Sequence, residues 1–90
     1  MSANRIHEER VTNSSNVRVL DSIKTASAPN TINGVEGIIW VLSSGDHETM
    51  VLLPKDICEE LALALLAKTQ RFWGRNLSDG ELMDYARRLQ

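Results

Sequence analysis

The stretch GIIWVLSSGDHETMVLLP, Gly37 to Pro54, limits what this chain can fold into more than any other. It reads as two strands joined by a turn at Ser43-Ser44-Gly45-Asp46, where Gly45 is free to take positive φ. An antiparallel ribbon with one wet face alternates apolar and polar residues. Here Ile38-Ile39-Trp40-Val41-Leu42 and Met50-Val51-Leu52-Leu53 are apolar without interruption, so both faces of the ribbon call for a cover. The pairing register is open at this level, because loop length decides it and a slip of one residue exchanges the faces. Either register leaves Ile, Val or Leu on both sides.

The remainder of the chain offers little to cover two faces. Of 90 residues, Met1 to about Asn16 is polar and without period, so residues 1–16 are expected to form a flexible arm and residues 17–90 a single small α+β domain. A domain of that size buries only about 60% of the surface its unfolded chain exposes. No disulfide helps it, since Cys58 is the lone cysteine, and with His7 and His47 it makes a poor zinc set. No metal, cofactor or catalytic residue is therefore assigned. The apolar runs are too short to span a bilayer and the N-terminus lacks the charged start and apolar middle of a secretory leader, so a cytoplasmic protein with no membrane partner is expected.

Val17-Arg18-Val19-Leu20-Asp21-Ser22-Ile23 suits a short edge strand by its alternate Val17, Val19 and Ile23, or a helical turn by Val17, Leu20 and Ile23. Its β-branched content favours the strand. The following Thr25–Gly34 segment reads as a loop, with Asn33-Gly34 as a turn pair. Pro54 ends the return strand and opens a helix, and Gly74 closes that helix. Along it Ile57, Leu61, Leu65 and Phe72 join Cys58, Ala62, Leu66 and Trp73 in an arc of about half the circumference, wider than an ordinary surface helix needs. Two packing partners are expected, the hairpin and something else. A second helix follows from a capping box, Ser78 with Glu81, and a hydrophobic staple, Leu77 with Leu82. Leu82, Tyr85, Ala86 and Leu89 share its face. The fold class is α+β: a small antiparallel hairpin, extended to three strands if Val17–Ile23 joins it, followed by two helices packed on one face.

Chemistry is sparse. No phosphate loop, dinucleotide fingerprint, paired CxxC or nucleophile elbow occurs. Ser43, Ser44, Asp46 and His47 bring a nucleophile, an acid and a base within five residues, but neighbours on a tight turn point apart, and turn chemistry accounts for their types. The net charge of −2 exerts no general pull on nucleic acid. Residues 31–60 carry −5 and residues 61–90 carry +2, and an acidic middle could meet a basic end across subunits. The reading that follows is a non-enzymatic adaptor, inhibitor or regulator acting as a homodimer, with Trp40, Val41, Met50, Leu52, Leu63, Leu66 and Trp73 as its protein interface. The alternative is a nucleic-acid-associated regulator using Lys68, Arg71, Arg75, Arg87 and Arg88, some of them interleaved with Phe72 and Trp73 that could stack on bases. The acids Asp79, Glu81 and Asp84 would face phosphates if the second helix were a recognition helix.

Overall fold

The computed structural model describes residues 5–89, so the first four residues of the expected arm lie outside the described residues. The architecture is an antiparallel four-stranded sheet followed by two helices, of the α+β class. Strand β3 (Val35–Ser44) is the centre, and β4 (His47–Pro54) pairs with it from Ser44↔His47 to Gly37↔Pro54. The other edge of β3 is shared by β1 (Ser22–Thr25), against Trp40 to Ser43, and β2 (Asn30–Ile32), against Val35 to Gly37. The two short strands thus act as one edge interrupted at residues 26–29. The Ala26 amide still donates to the Ile39 carbonyl at 2.9 Å and keeps the break narrow.

Two turns set this register. Asn33 at φ 53 and Gly34 at φ 78 are both left-handed, as a type I′ hairpin turn demands, and they join β2 to β3. Gly45 at φ 58 followed by Asp46 at negative φ gives the sign pattern of a type II′ turn between β3 and β4. The edge strand is therefore Ser22–Thr25 rather than a strand or helical turn over Val17–Ile23, and the expected loop Thr25–Gly34 contains the strand Asn30–Ile32. Pairing to β3 begins where β3 ends, with the Asp21 amide donating to the Ser43 carbonyl at 3.0 Å, so residues before Asp21 have no ladder to join. Asn30–Ile32 becomes a strand because the I′ turn folds it back onto Val35–Gly37.

At Pro54 the chain leaves the sheet and enters helix α1 (Lys55–Trp73) directly. This crossing depends on Gly37, the one buried residue among those described. A methyl group there would run into the Leu53 carbonyl oxygen and lie 3.1 Å from Leu52 Cγ. Helix α1 ends at Gly74, whose φ of 64 and ψ of 20 place it in the left-handed region while its amide donates to the Gln70 carbonyl. Helix α2 (Asp79–Arg88) starts at Ser78, whose Oγ accepts from the Glu81 amide at 3.2 Å. The Glu81 carboxylate is taken by the Arg75 guanidinium, which ties the connector to the first turn of α2. Helix α1 lies along β3 and β4, whereas α2 packs extensively on no other element, so only one of the two helices expected on the sheet face packs there.

Gly37→Val is expected to destabilise the fold by about 1–3 kcal/mol through overpacking against the Leu53 carbonyl. Gly80→Ala, whose added methyl meets only Ser78 Oγ at 3.9 Å, is expected to be neutral or stabilising. Thermal melts of the two variants side by side check this, and an unchanged melt for Gly37→Val would contradict the close crossing.

Candidate protein-association surface

The register sorts the apolar ribbon into two faces, since side chains alternate along a strand. Trp40 pairs with Val51 and Ile38 with Leu53, and these share a face with Leu42 and Ile23. This face looks towards α1. Between them lies an open cleft of 330 Å³. Ile23, Trp40, Leu42, Val51 and Leu53 form its sheet wall, and Cys58, Leu61, Ala62 and Leu65 form its helix wall. The helix residues recur at three- and four-residue spacing, which sets them on one stripe. The Cys58 thiol donates to the Leu53 carbonyl at 3.4 Å, at the closed end where strand becomes helix. Leu65 is 58% exposed. Among the described residues no hydrophobic side chain is fully buried, so the cleft is where a core belongs, left open. The indole N–H of Trp40 is shielded from solvent and has no acceptor.

On the opposite face Ile39 pairs with Leu52 and Val41 with Met50, and neither helix packs there. Met50 is 67% exposed. Lys24 lies directly across from Val41, so this apolar face carries a cation on the edge strand β1 and an acid, Glu48, on β4. The seven residues expected to form one interface therefore fall on separate surfaces. Trp40 belongs to the cleft, while Val41, Met50 and Leu52 belong to the far face of the sheet. Leu63 and Trp73, at 68% and 78% exposure, point away from the cleft, and Leu66 is half-buried. Sequence reasoning left out the cleft partners Ile23, Leu42, Val51, Leu53, Leu61 and Leu65. Their signal was the strand parity, which only the turn geometry resolves.

The N-terminal segment meets another side of α1. Arg5 pairs with Asp56 at 3.0 Å and its amide donates to Glu60 at 2.9 Å, while Glu8 pairs with Lys68 further along the helix. Asp56, Glu60 and Lys68 lie at multiples of four residues, so the segment follows one flank of α1. At the other end of this stretch, Ser44 Oγ donates to the Val19 carbonyl at 2.7 Å and Asp21 accepts from the Gly45 amide at 2.8 Å. The hydroxyl weighed above as a nucleophile is thus engaged in holding the chain to the hairpin tip.

Of the five basic residues considered for nucleic acid, three are in ion pairs: Lys68 with Glu8, Arg75 with Glu81, and Arg87 with Asp84. Arg71 sits 5.3 Å from the centre of the Phe72 ring, with Lys68 at 5.4 Å from the same ring. Arg88 borders a shallow concavity on α2 with Leu77, Leu82 and Tyr85. Among the described residues no three His, Cys, Asp or Glu side chains converge as metal ligands, and no helix is long and apolar enough to cross a membrane. Comparison of the chain with protein-family models, with curated proteins and with solved structures finds no significant match in any of the three.

Hydrogen bonding and charge from Lys68 hold the Glu8 carboxyl below its ordinary range, and the Arg75 guanidinium does the same for Glu81. A lowered folded-state pKa means that the stabilisation is complete above the ordinary glutamate range and is lost as pH falls through the lowered value. Carboxyl titration by NMR is expected to show both groups titrating low. Lys68→Ala should raise the Glu8 midpoint alone and Arg75→Ala that of Glu81 alone, whereas midpoints unmoved by these changes would contradict the pairs.

Proposed function

We propose that this chain is a non-enzymatic protein-interaction module of the cytoplasm that works as a homodimer. Its long helices and the sheet faces beneath them come together, and the far face of the sheet stays free to bind a regulated protein. The carrying observation is that no hydrophobic side chain among the described residues is fully buried, while half-buried apolar side chains line a partly open cleft. A compact monomer of 10.1 kDa ordinarily exposes about 5,300 Å², whereas this chain exposes 7958 Å².

The cleft side suits self-association better than the far face. Packing two far faces together about a twofold axis would bring both copies of Lys24 and of Glu48, which share that face, against apolar side chains. A different protein offering a carboxylate among apolar side chains would suit Val41, Met50, Leu52 and Lys24 instead. Ion pairing of Lys68, Arg75 and Arg87 weighs against a phosphate-binding reading, since those cations would have to give up their partners first.

Sedimentation equilibrium at micromolar concentration is expected to give twice the chain mass. Leu61→Asp, on the helix wall of the cleft, should return the mass to that of one chain and lower the melting temperature. Val41→Lys, on the far face, should leave the mass unchanged. A single-chain mass for the unaltered protein contradicts the proposal.

A further inference from the structure

The sheet has one guarded edge and one open edge. The guarded side consists of the short strands β1 and β2, broken at residues 26–29 around Pro29, with Lys24 on β1. Short strands, breaks, Pro and Lys are the usual means of keeping another chain from adding to a sheet. Strand β4 lacks these guards along its length. It runs eight residues without interruption from His47, reaches a proline only at its last position, and pairs with β3 alone among the described residues. We propose that this edge is the self-association site, where β4 pairs antiparallel with β4 of a second copy and joins two four-stranded sheets into one. This rests on the homodimer reading above and specifies which element makes the contact.

Backbone parity identifies the groups available there. The Ser43 and Ile39 carbonyls accept from the Asp21 and Ala26 amides on the β1 side. Main-chain groups alternate in direction along a strand, so Leu42 and Trp40 turn theirs to β4, where Thr49 and Val51 are their partners. The intervening Glu48, Met50 and Leu52 turn their amides and carbonyls outward, and none of these groups takes part in a hydrogen bond among the described residues. Pro54 falls in the same outward phase, where its missing N–H breaks no bond to β3. The first half of this edge is also clear of other side chains, since Glu48, Thr49 and Met50 are all exposed.

A twofold axis through Met50 engages every outward group at once. Met50 then faces its own copy and Glu48 faces Leu52, so each of these residues exchanges both of its main-chain bonds. A shift of two residues one way sets Leu52 against Asp46 in the tight turn. A shift the other way sets Glu48 against Pro54, which has no amide to donate, and brings Asp46 level with Asp56. Charge selects the same central register. It brings Asp46, at one end of β4, level with Pro54 and next to Lys55 at the other end of the second copy, and neither Asp46 nor Lys55 has an ion pair among the described residues. Thr49 comes beside Val51 on the cleft face as a β-branched pair. Because the axis stands perpendicular to the sheet, both α1 helices lie on one side of it and the far faces stay uncovered. The guarded edges are left outside, which stops growth at two copies.

Amide hydrogen exchange read residue by residue on the unaltered protein tests the pairing. The Glu48, Met50 and Leu52 amides are expected to be protected as the Thr49, Val51 and Leu53 amides are, whereas an open edge would show protection at alternate residues only. Met50→Pro supplies a second readout, since it removes an outward amide and keeps every bond to β3. It should weaken dimerisation by at least about tenfold in sedimentation with strand content retained, and Met50→Ala, which keeps the amide, should weaken it less. If the unaltered protein is dimeric but the three outward amides exchange freely, or if Met50→Pro dimerises as before, the edge pairing fails while the homodimer reading stands. If the unaltered protein is monomeric, both fail.

Discussion

Keeping water from Trp40, Val51 and Leu53 requires a second layer on the sheet, and α1 supplies that layer only in part. The helix starts in contact with the sheet, because Pro54 belongs at once to the end of β4 and to the cap of α1. It then leaves the cleft open, and Leu65, about three turns on, is already largely exposed. Each large apolar side chain left in water forgoes about 1.5–3 kcal/mol of burial. A chain with no buried hydrophobic side chain among its described residues has therefore not completed its own fold in the usual way. The dimer reading answers this one deficit.

Local devices hold the open form together in the meantime. Two tight turns and eight paired positions between β3 and β4 define the ribbon without any core beneath it. Gly37 lets the strand-to-helix crossing pass close over β3, which fixes where α1 begins. The N-terminal segment adds ion pairs along one flank of α1 and hydrogen bonds at the hairpin tip, so it links the helix to the far end of the ribbon. These contacts are exposed and each contributes little to stability by itself. They place the apolar surfaces rather than bury them, which is a suitable division of labour for a chain whose core forms on association.

Much of this was legible in the sequence. Asn33-Gly34, Pro54, Gly74 and Ser78 carry backbone requirements that few other residues meet, and the elements begin and end at or beside them. The unbroken apolar runs announced a ribbon needing two covers. The edge strand was less visible, because Ser22–Thr25 and Asn30–Ile32 become strands only by pairing with β3, which tertiary geometry decides. The candidate surface was misdivided for a related reason. Trp40 and Val41 are neighbours in sequence and opposite in space, and only the Gly45 turn says which of them faces α1. Around the expected capping box of Ser78 and Glu81, the Arg75 guanidinium also takes the Glu81 carboxylate, an addition that has no local signature in the sequence.

Thermal unfolding followed over a hundredfold range of protein concentration tests the central claim most directly, because an equilibrium that couples folding to association depends on mass action. With folding coupled to association, the melting temperature is expected to rise steadily with concentration. A melting temperature independent of concentration, together with a sharp cooperative transition, would mean that a single chain closes its own core, and would contradict it.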